Sequence, residues 1–214
     1  MSKLILESLD SKRLLVFKKL KAFNHEGILG GGTALSLQIG HRISFDFDIF
    51  MEKAVDDKLW KKAKEIFGKS SEKLIETGEE LHMTTPENIG VTFLHDDFKL
   101  LLPPVKTQIV NLLNVKDIAA NKAYTLGKRP KWRDYVDIYF LLKDKYLSLE
   151  TLILLSGKKF GNDFSERLFL EQLIYWKDIV DFEIEYIRVH VKPKTIKSFL
   201  EKEVDKYKKG QFQP

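Results

Sequence analysis

The sequence predicts a mixed α/β (α+β) chain, a sheet-bearing N-terminal part followed by a helical one, on three observations. A short apolar run, Ile28-Leu29, enters three glycines and leaves as a compact helix-forming segment, Thr33 to Ile39, closed by Gly40. From Ile43 to Ile49 apolar and polar residues alternate without a break, the mark of a strand with one face buried and one open. Beyond Pro103-Pro104, which cannot continue regular structure, the periodicity becomes mostly helical. A boundary is expected there, giving domains of residues 1–105 and 106–214.

The elements follow in order. Asp10 to Asn24 carries Leu14, Leu20 and Ala22 at roughly helical spacing and is broken by Gly27. Strand, glycine turn and helix come next, then the alternating strand, whose Ile43, Phe45, Phe47 and Ile49 are expected to face inward. Asp56 to Phe67 is a lysine-rich amphipathic helix, and residues 73–94 form a few strands, the best of them Ile89 to Leu94. Asn114 can cap a helix that has Asp117 in its first turn and runs to Gly127. A helix from near Lys131 carries Trp132 and Val136 along one side, and further helices are expected at Ser148–Ser156, Ser165–Trp176 and Pro193–Lys208.

Bulk properties narrow the classes of function without choosing one. The chain has no cysteine, which excludes disulfides, thiolate metal sites and cysteine nucleophiles. Met1 to Glu7 holds too short an apolar stretch for a signal peptide, and no apolar run approaches membrane-spanning length, so a cytoplasmic location and no membrane partner are expected. The net charge of +5 is a small excess, because 36 basic residues face 31 acidic ones, and it only mildly favours a polyanionic partner.

Chemistry concentrates between Gly31 and Phe50. Asp46 and Asp48 are two apart in the alternating segment, so their carboxylates share a face with Cα atoms roughly 7 Å apart. Like charges at that spacing repel unless a cation joins them. Mg²⁺ (or Mn²⁺) prefers such oxygens and keeps water and phosphate as further ligands. Upstream, Gly31 and Gly32 let the backbone approach a ligand closely, and the helix after them offers unpaired N–H groups to an anion. Each half alone has a plainer reading, an edge strand with a solvated face or a tight turn with no ligand. Together they describe a phosphate site beside the metal that phosphate carries.

These residues also carry a resemblance. Ile28-Leu29-Gly30-Gly31-Gly32-Thr33-Ala34-Leu35, followed by Gly40-His41-Arg42-Ile43-Ser44-Phe45-Asp46-Phe47-Asp48-Ile49-Phe50, resembles the signature of AbiEii/AbiGii-type nucleotidyltransferase toxins, within the DNA polymerase β-like nucleotidyltransferase superfamily. A second stretch, Asp117 to Ala123 and then Arg133-Asp134-Tyr135-Val136-Asp137, resembles the family's downstream motif of a lysine-bearing helix followed by an Arg/Lys-Asp-x-x-Asp helix. The resemblance covers most of residues 28–142. It implies a mixed-sheet nucleotidyltransferase core followed by a helical C-terminal domain. It also implies nucleoside triphosphate as substrate, Mg²⁺ as cofactor, an RNA or protein acceptor and a cognate antitoxin.

Carried over by position, Asp46 and Asp48 would ligate the metal. Gly31, Gly32 and Thr33, with Arg42 and Ser44 beside them, would bind the triphosphate. Lys122 would neutralise phosphate charge, and Asp137, with Asp134 three residues before it on one helix face, would reach the site as a catalytic group or instead orient Lys122 and Arg133. For Asp134 and Asp137 an interhelical ion-pair network is the plainer reading. Arg42 could equally order its loop through an ion pair, and His41 fits a structural hydrogen bond better than a general base.

The superfamily pattern falters at a third carboxylate on a later strand. Thr92 stands where that acid is expected, and Asp96 and Asp97 are the only acids nearby. The resemblance therefore implies transfer of a nucleoside monophosphate to a hydroxyl of RNA, for example a tRNA 3′ end, or of protein. The alternative is a catalytically inactive nucleotide-binding or interaction module on the same fold, and a metal-dependent hydrolase is a distant third. The acceptor surface expected is Lys128-Arg129-Pro130-Lys131-Trp132-Arg133, basic and aromatic, which also fits a solvated turn with Trp132 packed as core.

Overall fold

The computed structural model describes residues 4–211, so Met1 to Lys3, the start of the short N-terminal apolar stretch, lie outside the described residues. Two compact units emerge, one of residues 1–98 and 103–114, the other of residues 99–102 and 115–214.

The first unit is built on a five-stranded mixed sheet. Its strands are β1 (Gly27–Gly30), β2 (Phe47–Met51), β3 (Glu72–Glu76), β4 (Glu80–Thr84) and β5 (Gly90–His95), in the spatial order β1-β2-β5-β4-β3. β2 and β5 run parallel, and the other pairings are antiparallel. Helices α1 (Ser11–Lys19), α2 (Gly31–Ile39) and α3 (Asp57–Phe67) complete the unit. Asp10 and Asp56 cap α1 and α3 by accepting from the Arg13 and Leu59 N–H groups, satisfying donors that a helix start leaves open.

Period-two patterning decides which sheet face is buried. Phe47, Ile49, Leu81, Met83, Val91 and Phe93 alternate onto one face and are fully buried. Phe17 of α1 stacks on Phe47 with centroids 6.2 Å apart. Phe23, in the short 3₁₀ turn Leu20–Phe23, packs on Phe67 of α3 at 5.5 Å and on Phe93 at 5.0 Å. The opposite face carries Asp48, Thr92, His82 and Thr84, of which Asp48, His82 and Thr84 are only half-buried.

Two sequence expectations change here. The strand expected from Ile43 begins only at Phe47, and Phe45 is 49% exposed rather than inward. The reason is lost pairing. β1 ends opposite Asp48, at Gly30, and its chain turns away into α2, so residues 43–46 have no strand partner on that side. Side chains hold them instead: Arg13 Nη1 donates to Ser44 O at 3.2 Å and Arg42 Nη1 to Ile43 O at 2.9 Å.

Residues 106–114, expected in the helical part, pack with the first unit. Leu29 N–H donates to Asn111 O and Leu113 N–H to Leu29 O, each at 2.8 Å, and Asn24 and Gln38 side chains fasten the same segment at 2.9 and 3.0 Å. An extended segment satisfies its backbone on a free strand edge more readily than alone.

The second unit is helical: α4 (Val115–Leu126), α5 (Trp132–Lys143), α6 (Leu149–Phe160), α7 (Glu166–Leu173) and α8 (Pro193–Gln211). α5 is buried almost all round, with Arg133 in its first turn and Lys143 at its end exposed, which makes it the unit's core helix. The Asp117 carboxylate accepts from Leu101 and Leu102 N–H groups at 2.9 and 3.0 Å and pairs with Lys159 at 3.0 Å, both side chains fully buried. Tyr135 donates toward Gln172 O and Tyr175 O at 3.0 Å, and burial pushes its phenol up to about 12. Among the described residues no helix is long and apolar enough to cross a membrane.

Candidate functional site

The glycine turn between β1 and α2 is shaped by what stands against it. Gly31 has φ +65°, a left-handed conformation, and a Cβ built on it would collide with the Asp48 carboxylate. A Cβ on Gly32 would stand 2.8 Å from both Arg42 Nη2 and Ser44 Oγ. Only glycines let a carboxylate, a guanidinium and a hydroxyl close on the start of a helix in this way. Gly31→Ala is therefore expected to lose about 1–2 kcal/mol from the left-handed backbone alone, and more because Asp48 must move. A urea titration that finds less than about 0.5 kcal/mol, on the scale of an unremarkable surface change, would contradict this.

The two acids are positioned by different means. Asp48 sits in β2, fixed by sheet register between Gly30 and Thr92. Asp46 lies before the strand, exposed, with its Oδ1 over Gly90, where a Cβ would stand 2.7 Å away. The Thr33 hydroxyl, expected to bind triphosphate, is instead buried and donates to the Asp46 carbonyl oxygen. Thr33 thus anchors the acid's backbone. The Ser36 hydroxyl donates to Arg42 O in the same manner, and His41, 1% exposed, is packed away from solvent.

Asp96 and Asp97 do not join this group. Strand register pairs Asp48 with Thr92 and Met51 with His95, so Asp96 follows Thr92 by four residues, roughly 13 Å along β5. Asp96 Oδ1 accepts from Phe98 N–H at 3.1 Å. Asp97 is on exposed chain, 3.2 Å from His95 Nε2. Glu79, which meets His95 Nδ1 at 2.9 Å, and then Asp97 hold the His95 imidazole pKa above its ordinary value. Among the described residues no group of three or more His, Cys, Asp or Glu side chains could hold a metal ion.

Thr92 occupies the strand position where the resemblance implies an acid. It is 7% exposed, and its Oγ1 lies 2.9 Å from His82 Nδ1 on the neighbouring strand. Local sequence carries no sign of this pair, because ten residues and a turn separate its members and only the β4–β5 register brings them opposite.

In the helical unit, Lys122 of α4 bonds Asp134 Oδ1 at 2.6 Å and Asp137 Oδ2 at 2.9 Å, both on α5, with all three residues buried. The residues singled out in the downstream motif thus form one cluster, from which the exposed Arg133 stays apart. Trp132 is 4% exposed and packs against Tyr135, Trp176 and Phe182, so it is core rather than a stacking platform. Lys128, Arg129, Lys131 and Arg133 remain on exposed chain.

Comparison with known proteins gives the chain its relatives. An uncharacterized protein of Aquifex aeolicus (strain VF5) is 29% identical over 184 residues, covering 84% of this chain and 86% of the relative. Among solved structures, JHP933 from Helicobacter pylori superposes with a TM-score of 0.53 at 17% identity, over 96% of this chain and 98% of that one. MenT4, a nucleotidyltransferase toxin from Mycobacterium tuberculosis H37Rv, gives a TM-score of 0.57 at 15% identity, over 90% of this chain and 82% of its own. At such identities the likeness is one of fold. The family model for the nucleotidyl transferase AbiEii toxin of type IV toxin–antitoxin systems matches residues 75–213, starting after the glycine turn and Asp46–Asp48 and including Lys122, Asp134 and Asp137. With that match extending over well more than half the sequence, the chain belongs to the nucleotidyl transferase AbiEii toxin family and is by that membership a nucleotidyltransferase.

Proposed function

We propose that this nucleotidyltransferase moves a nucleoside monophosphate from a nucleoside triphosphate to a hydroxyl of RNA, tRNA included, or of protein, as the toxin of a system with a cognate antitoxin. The observation that carries the reading is the closure of Asp48, Arg42 and Ser44 on the glycine turn at the start of α2. A helix N-terminus with a guanidinium beside it suits a phosphate, and a carboxylate against the same turn suits a cation between it and that phosphate.

Two carboxylates fit Mg²⁺ or Mn²⁺, which take oxygen ligands and keep positions for water and phosphate. When bound by Asp46 and Asp48, such an ion supplies positive charge to the phosphate oxygens and the leaving pyrophosphate. The chain's own groups do the positioning. Gly31 and Gly32 receive the triphosphate, and Arg42 and Ser44 fix it on the turn. In the reaction the acceptor oxygen bonds to the α-phosphorus, the α–β bridging bond breaks and pyrophosphate departs. Lys122 is held by Asp134 and Asp137 within the helical unit, and the exposed basic run from Lys128 to Arg133 is assigned to the acceptor.

The test is direct. Purified protein with Mg²⁺ and each of the four α-labelled triphosphates is expected to label a band in an extract, and ribonuclease and protease sensitivity identify the acceptor. If all four triphosphates bind but none labels RNA or protein, the nucleotide-binding module takes the place of this reading.

A further inference from the structure

The open face of the sheet carries one more group that chemistry at Asp46 and Asp48 would need. Sheet register sets Gly30, Asp48, Thr92 and His82 in one row across β1, β2, β5 and β4. Directly opposed residues project to the same face, so Asp48, Thr92 and His82 stand side by side. Two strand spacings, roughly 10 Å between Cα atoms, separate Asp48 from His82. Both side chains rise from the same face of the sheet, with Thr92 in the row between them.

The imidazole is fixed rather than loose. His82 Nδ1 lies 2.9 Å from Thr92 Oγ1, and Thr92 is itself 7% exposed on a central strand. If Nδ1 carries the proton and donates it to that hydroxyl, the lone pair is left on Nε2. The neighbouring elements set the charge around it. β2 contributes Asp48, the chain just before it Asp46, and β4 contributes Glu80 and Thr84 at the flanking same-face positions. β3 sets the exposed Ile75 opposite His82, with Lys73 and Glu76 paired to each other beside it. The charged groups that share this face with His82 are thus mostly carboxylates.

Resting on the transfer reading above, we propose that His82 is the general base of this site, with Thr92 as the residue that positions it. The acceptor hydroxyl gives its proton to Nε2 as its oxygen bonds to the α-phosphorus, and the proton then leaves His82 to solvent. No other reagent is required. This gives a role to a pair that neither the fold's core nor the phosphate site uses.

The experiment combines kinetics with a measurement that needs no turnover. In His82→Gln, transfer is expected to fall about 100-fold, within the range of general-base catalysis, while Mg²⁺–triphosphate affinity measured by calorimetry stays within about twofold, since the base does not hold the nucleotide. The acid limb of the pH–rate profile, where a single base must lose its proton, disappears with it. Added imidazole restores part of the rate to His82→Ala. Long-range ¹⁵N–¹H spectra of the wild-type protein should show His82 protonated at Nδ1. Thr92→Val should lose that preference and about tenfold in rate, and Thr92→Ser should keep both.

A His82→Gln enzyme that transfers at the wild-type rate with an unchanged profile overturns the proposal while leaving nucleotidyl transfer standing. Protonation at Nε2 in the wild-type protein overturns it equally. A wild-type protein that binds triphosphate and transfers nothing removes the transfer reading, and this proposal with it.

Discussion

Asp48→Asn is expected to reduce nucleotidyl transfer about 1000-fold or more without unfolding the protein. Asparagine keeps the shape that fits against Gly31 and keeps the β2 register between Gly30 and Thr92. What it removes is the negative charge. Losing a metal-holding carboxylate gives up several kcal/mol of transition-state stabilisation, and each 1.4 kcal/mol is tenfold in rate. The fold should be kept, because the new side chain has the size and shape of the old one. Asp46→Asn is expected to behave alike, since its exposed position leaves the core untouched. Single-turnover rates at saturating Mg²⁺ and triphosphate, with circular dichroism as the control for folding, decide the matter. If either variant retains a tenth of wild-type transfer, Asp46 and Asp48 are not the metal-holding pair.

Lys122→Met carries the largest expected effect on stability. The ammonium lies between Asp134 and Asp137, at 2.6 and 2.9 Å, and the carboxylates are 3% and 0% exposed. Methionine fills much of the same volume and leaves two buried like charges with no cation between them. Removing one partner of such an arrangement typically costs roughly 3–5 kcal/mol, most of it the penalty of stranding buried charge. On that account Lys122→Met combined with Asp134→Asn and Asp137→Asn should recover most of the deficit. Urea unfolding of the single and triple variants makes the comparison. A single variant within about 1 kcal/mol of wild type would show that the cluster contributes little to the fold.

Much of the site is legible in the amino-acid sequence. Gly31 and Gly32, followed by Asp46 and Asp48, announce a close backbone approach and an acid pair, because both signals depend on local chemistry and short spacing. The buried alternation of Phe47 and Ile49 is legible for the same reason. Phe45 is not, because its expected place in a strand depends on a partner that turns away at Gly31. Thr33 has the composition of a phosphate donor. Its hydroxyl is nevertheless committed to the Asp46 carbonyl, a contact between residues thirteen apart that helix and loop geometry create. Asp96 and Asp97 lie close in sequence to the strand that pairs with β2, yet the parallel register carries them past the site.

Periodicity and motif spacing by themselves determined the sheet-then-helix order, the glycine turn, the acid pair and the lysine-bearing helix ahead of Asp134 and Asp137. These are statements about neighbours within one or two elements, where side-chain direction follows from helix or strand geometry. Only the tertiary structure decided that residues 106–114 pack with the sheet, that Lys122 is shared by two carboxylates, and that Thr92 and His82 stand in line with Asp48. Those facts rest on register and packing between segments distant in the chain, where one residue of slip turns a strand side chain to the opposite face.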